Sequence, residues 1–68
     1  MIRVGVIGYG YWGPNLVRNF HEVKDCQVVS VSDTRPERRA LVTARYPSIV
    51  ATADHRDLLN DPTIISFE

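Results

Sequence analysis

The 68 residues hold 8 Lys+Arg against 8 Asp+Glu, a formal net charge of zero, with 44% hydrophobic and 24% charged residues. That balance excludes intrinsic disorder, and no apolar run reaches the ~20 residues of a transmembrane helix or forms a secretory signal, because Arg3 and Gly5 interrupt the start. The single cysteine, Cys26, excludes a disulfide framework, and zero net charge removes the global pull toward nucleic acid, so the expectation is a cytoplasmic protein with neither nucleic acid nor membrane as partner.

Taken in chain order, Ile2 to Ile7 is short and β-branched and runs into glycines, which predicts a buried strand. Trp12, Leu16, Val17, Phe20 and Val23 then recur at helical spacing, with Pro14 in the first turn, where a missing N–H costs little. Gln27 to Ser32 predicts a second strand closed by Asp33. Thr34 and Glu37 have capping-box spacing and open a predicted helix that runs through Tyr46 and stops at Pro47. A third strand is predicted over 49–52, a brief helix over 54–60 with Leu58 and Leu59 inward, and a fourth strand over 63–67.

This βαβαβαβ alternation predicts an α/β fold with a parallel sheet and right-handed crossovers. In strand order 3-2-1-4, the first two helices cover one face and only the 54–60 segment returns across the other. Parallel sheets are covered on both faces, and a chain of about 60 residues buries only about 60% of its unfolded surface. Residues 1–68 therefore predict the N-terminal part of a doubly wound Rossmann-type domain, with no second domain. Apolar surface is expected on the thinly covered face, a route to self-association.

All four glycines fall within the first thirteen residues, and Gly8, Gly10 and Gly13 form G-Y-G-Y-W-G between a strand and a helix. Gly8 permits the tight turn, Gly10 carries no Cβ to hold a pyrophosphate away, and Gly13 lets helix and sheet pack closely. The helix N-terminus offers free N–H groups and partial positive charge to phosphates. Asp33 ends the second strand about 20 residues further on, where a carboxylate can accept the adenosine ribose hydroxyls. The competing reading is a plain βα turn with no ligand. A carboxylate at this position repels a 2′-phosphate, which favours NAD over NADP. Arg35, two residues on, could pair with such a phosphate or stack on adenine.

The stretch I-R-V-G-V-I-G-Y-G-Y-W-G-P-N, the acid in V-V-S-V-S-D, the E-R-R-A-L helix ending in R-Y-P, and D-L-L-N-D-P together resemble the Gfo/Idh/MocA oxidoreductases. Y-G-Y-W-G-P-N is similar to members that oxidise the 3-position of nucleotide-activated amino sugars. The resemblance implies the dinucleotide-binding part of a two-domain NAD(P)-dependent enzyme acting on a sugar, nucleotide-sugar or cyclitol hydroxyl. It implies cofactor contacts at Gly8, Gly10, Gly13 and Asp33, with Thr34 and Arg35 beside the acid and Tyr9, Tyr11 and Trp12 at variable loop positions touching cofactor or substrate. The family's alanine-threonine-proline turn and glutamate-lysine-proline motif, whose lysine assists proton transfer, do not occur here. T-I-I-S-F-E departs from the family's apolar fourth strand. No catalytic residue is therefore assigned, and these residues alone are expected not to turn over. The alternative is a non-catalytic NAD-binding module that works with a partner chain.

Other reactive residues have blander readings. His21 suits a helix C-terminus, His55 a solvated position, and Cys26 a packed thiol. Arg38, Arg39 and Arg45 suit a solvated helix face. Trp12 is balanced between packing and cofactor contact.

Overall fold

The computed structural model describes residues 1–68. Its elements are β1 (Ile2–Ile7), α1 (Gly13–Glu22), β2 (Cys26–Ser32), α2 (Pro36–Arg45), β3 (Val50–Thr52), α3 (Arg56–Leu59) and β4 (Ile64–Phe67). The four strands form one parallel sheet in the order β3-β2-β1-β4. The expected α/β class, strand order and alternation are all present.

Helices α1 and α2 cover one face. Val17 of α1 and Val42 of α2, both fully buried, join Val4, Val6, Val28, Val31, Tyr9, Tyr46 and Ile49 in a single core cluster. Strict alternation along β2 would not put Val28 and Val31 on the same face. A register irregularity resolves this, because Val4 pairs with Val28 while the next residue, Gly5, pairs with Ser30, so Val29 is skipped. That slip restores valines to the core side beyond it.

The opposite face is narrower and more polar. Gly5, Ser30 and Ser66 lie side by side across β2, β1 and β4, and Ser32 pairs with Ile7 one step along. Helix α3 lies over this face through Leu58, which is 1% exposed. A Cβ on Gly5 would sit 2.7 Å from Leu58 Cδ2 and 2.9 Å from Ile64 Cγ2, so the missing side chain is what lets α3 approach the sheet.

Three expectations change. Leu59 does not point inward but is 58% exposed. A single turn of helix has one inward direction, and neighbouring residues diverge by about 100°. The exposed apolar strand residues are not confined to the α3 face. Ile65 and Phe67 sit on the α1 side at edge strand β4, paired in register with Val4 and Val6, and Phe67 leans on Phe20 with ring centroids 4.8 Å apart. Finally, the Thr34–Glu37 capping box does not form. Pro36 forces the residue before it out of helical backbone, so Arg35 (φ −88°, ψ 120°) is the N-cap and Pro36 the first helical residue. Thr34 and Glu37 then stand just before the N-cap and at the second helical position, each one place too early for its role in the box.

The burial difference along α3 gives a direct test. Leu58→Ala should destabilise the protein by about 2–5 kcal/mol, as deletion of a buried leucine does, whereas Leu59→Ala should change stability by less than about 0.5 kcal/mol. Urea unfolding of the two variants checks this, and similar losses would contradict the placement of α3.

Candidate dinucleotide site

The C-terminal ends of β1 and β2 build the site. The chain leaves β1 through Gly8, whose φ of +91° lies in the region that favours glycine. Its N–H donates to the Ser32 carbonyl at 2.7 Å, which ties the loop to the end of β2. The loop then turns over to α1, where a Cβ on Gly13 would lie 2.1 Å from the Gly8 carbonyl oxygen. Any side chain at position 13 would therefore drive the helix off the turn. Gly13 also precedes Pro14 inside the first turn, a place where a Cβ would clash with the proline ring. At Gly10 the nearest atom to an added Cβ is the tip of Arg35, Nη2 at 3.0 Å, so backbone there is open to a ligand rather than wedged against protein. No side chain caps the N-terminus of α1, which leaves its first amides and the positive end of its dipole for an anion.

Asp33 is 7% exposed and stands at the junction of three segments. Oδ2 accepts the Tyr9 backbone N–H at 2.8 Å and Arg35 Nη2 at 2.9 Å. Oδ1 accepts the Arg35 backbone N–H at 2.9 Å and Arg35 Nε at 3.0 Å. The Arg35 side chain, followed by backbone donation from Arg35 and Tyr9, holds the Asp33 carboxyl well below the usual aspartate range, and this outweighs the opposing effect of burial. Arg39 Nη1 donates to the carbonyls of Asp33 (2.9 Å) and Thr34 (3.1 Å). Arg39 is thus not merely part of a solvated helix face. It ties the strand-to-helix turn to α2.

The glycine turn and Asp33 border a cleft of about 350 Å³ lined by Ile7, Gly8, Ser32, Asp33, Thr34, Arg35, Ala53 and His55. Four of the sequence-predicted residues, Gly8, Asp33, Thr34 and Arg35, meet in it. Gly10 borders it through the Arg35 guanidinium. Gly13 supports the turn from beneath, against Gly8.

The loop aromatics divide. Tyr9 turns inward, 5% exposed, into the core, where burial raises its phenol pKa above the ordinary value; only its backbone N–H serves the site. Tyr11 and Trp12 point outward, 84% and 67% exposed, in an edge-on pair with ring centroids 5.2 Å apart. Trp12 therefore does not anchor α1 to the sheet.

Two cleft residues carry little sequence signal. Ser32 is 2% exposed and its buried Oγ has no protein partner. His55 enters the cleft wall from the loop after β3. Only the strand order, which sets β3 beside β2, brings it there. His21 instead packs on the Tyr46 ring at 5.0 Å, away from the site. No cluster of three His, Cys, Asp or Glu side chains suited to a metal ion is present, and no helix is long and apolar enough to cross a membrane.

These residues fit a dinucleotide. Uncapped amides face an open glycine, an unpartnered buried hydroxyl borders the cleft, and a carboxylate lies at the strand end. Residues 2–66 match the family model described as an oxidoreductase family with an NAD-binding Rossmann fold. A glycosyl hydrolase family 109 protein of Porphyromonas gingivalis (strain ATCC BAA-308 / W83) is 34% identical, over 82% of this chain and 13% of its own length. The apo scyllo-inositol dehydrogenase of Lactobacillus casei superposes with a TM-score of 0.80 at 13% identity, over 98% of this chain and 21% of that one. An oxidoreductase from Agrobacterium radiobacter, solved with NAD+, L-tartaric acid and magnesium, gives a TM-score of 0.76 at 18% identity, over 97% of this chain and 21% of that one. The chain thus spans about a fifth or less of these relatives. With the family model covering nearly every residue, the chain belongs to the Gfo/Idh/MocA oxidoreductase family, as its NAD-binding Rossmann-fold part.

Proposed function

We propose that this segment holds the pyrophosphate and adenosine ribose of NAD in an oxidoreductase that acts on a hydroxyl of a sugar, nucleotide sugar or cyclitol. The observation that carries the reading is Gly10. Only the movable Arg35 tip, Nη2 at 3.0 Å, lies near where its Cβ would stand, so nothing fixed in the fold requires a glycine there, whereas a pyrophosphate lying on the backbone does. Gly8 and Gly10 would pass the pyrophosphate to the amides at the head of α1. Asp33 would face the ribose hydroxyls, with Thr34 beside it, and Ser32 Oγ would supply a further buried polar atom.

Bound there, the nicotinamide end supplies a hydride acceptor. Tyr11 and Trp12 stand exposed at the head of α1 and would flank the cofactor or the substrate. A ring hydroxyl as substrate is supported by the inositol dehydrogenase among the structural neighbours. No residue of this segment is assigned as the base that takes the hydroxyl proton. Asp33, the acid beside the glycine turn, is held ionised and saturated by donors.

Calorimetric titration of the full-length gene product with NAD tests the reading. Gly10→Val should weaken NAD by at least about 100-fold, about 2.7 kcal/mol, while leaving the unfolding midpoint nearly unchanged, because only the movable Arg35 tip lies near the new side chain. Asp33→Ala should weaken binding by about tenfold or more, in line with charge-assisted hydrogen bonds of about 1.5–3 kcal/mol. NAD affinity unchanged in Gly10→Val would leave the ligand-free βα turn. Steady NADH production from inositols or sugars would support oxidation, and glycoside cleavage without net NADH would favour the hydrolytic activity named for the Porphyromonas relative.

The depressed Asp33 carboxyl also predicts a pH dependence. Its folded pKa lies below the unfolded value of about 3.9, so its stabilisation is complete above that value and is lost only as pH falls through the lower folded one. The Asp33 carboxyl carbon, followed by NMR, should show no titration between pH 7 and about 4. A midpoint at or above the ordinary aspartate value would contradict the hydrogen-bonded arrangement.

A further inference from the structure

The four acceptor directions of the Asp33 carboxylate are all taken: two by the backbone amides of Tyr9 and Arg35, and two by Arg35 Nε and Nη2. The backbone pair is fixed by the fold. The side-chain pair is not, since the Arg35 side chain is 48% exposed. That guanidinium reaches from Asp33 to within 3.0 Å of where a Gly10 Cβ would stand, so it lies across the space between the ribose acid and the pyrophosphate glycine. A ribose diol approaching Asp33 must take the two directions that Arg35 fills.

We propose that Arg35 is a built-in occupant of the ribose-diol position, turning outward when NAD binds and staying over Asp33, beneath the 2′-phosphate, when NADP binds, so that the segment accepts both dinucleotides. The inference rests on the dinucleotide reading above. Arg35 cancels the charge by which Asp33 alone would reject a phosphate. Arg39 adds a second guanidinium to the same turn, held to the Asp33 and Thr34 carbonyls, while Glu37 is the acidic neighbour on α2. NAD must therefore displace an internal competitor, and NADP gains a cation already in place.

The two cofactors should respond to Arg35 in opposite directions. In calorimetric titrations of the full-length protein, wild type should bind NAD and NADP within about tenfold of one another. Arg35→Ala keeps the backbone N–H to Asp33 and should tighten NAD by about threefold to tenfold while weakening NADP by about tenfold or more. Arg35→Lys cannot form the two-pronged pair, so it should tighten NAD like the alanine variant yet retain most NADP affinity through its charge. Added salt should weaken NADP more steeply in wild type than in Arg35→Ala. If Arg35→Ala weakens both cofactors alike, the guanidinium stacks on adenine and the proposal is wrong. If neither affinity changes, Arg35 is a bystander and the proposal is equally wrong. Wild type binding NAD but neither variant behaving as described overturns this inference alone. Wild type binding neither dinucleotide overturns the proposed function with it.

Discussion

One buried carboxylate joins the parts of this small fold that must not drift. Asp33 sits at the end of β2 and accepts amides from Tyr9, in the loop after β1, and from Arg35, at the mouth of α2. Without those bonds the two backbone donors would lie beside the cleft with no protein partner, and an unsatisfied buried N–H costs about 1–3 kcal/mol. The acid also replaces the capping box that Pro36 prevents. By accepting the Arg35 N–H it satisfies a donor at the start of α2 that the Thr34 side chain leaves free. Fold and proposed site thus share one side chain, and the acid proposed to face a ribose is the same acid that fixes the loop a pyrophosphate would lie on.

The glycines divide the remaining work, each by a different physical need. Gly8 is required by backbone conformation, Gly13 by contact with Gly8, and Gly5, on the opposite side of the sheet, by the approach of Leu58. Gly10 alone has neither a left-handed backbone nor a fixed neighbour that demands its missing side chain, only the tip of a movable arginine nearby. A residue whose smallness the protein itself does not need is the one whose smallness a ligand explains. For that reason the phosphate assignment leans on Gly10 even though Gly13 makes the tightest contact.

Most of the architecture was legible because its signals are local. Short β-branched runs closed by turn residues marked the strands, Pro14 and Pro47 bounded the first two helices, and the strand–glycine–helix context located the turn. What was not legible depends on register and on competition between neighbours. The skipped Val29 cannot be read from a run of Q-V-V-S-V-S, since only pairing with β1 reveals which valine yields its place. Tyr9 looks like an exposed loop aromatic until the turn at Gly8 points it into the core. His55 and Ser32 reach the cleft only because β3 lies beside β2, a fact of topology rather than spacing. Arg39 reads as a solvated helix residue, yet the turn it faces leaves two carbonyls within its reach.

The double role of Asp33 bears on how cofactor preference can change in such a site. Removing the acid to admit a phosphate would also release the Tyr9 loop and the start of α2, so a change of cofactor made at this position carries a structural cost. Arg35 offers another route. Its backbone amide serves the fold, while its side chain, half in solvent, is bound to nothing except the acid. Charge at the ribose end can therefore be altered at position 35 with little consequence for packing, because a neighbouring cation can mask the acid without displacing it. On the proposed reading, the constraint that makes Asp33 hard to replace is thus the one that leaves cofactor choice to the half-exposed side chain beside it.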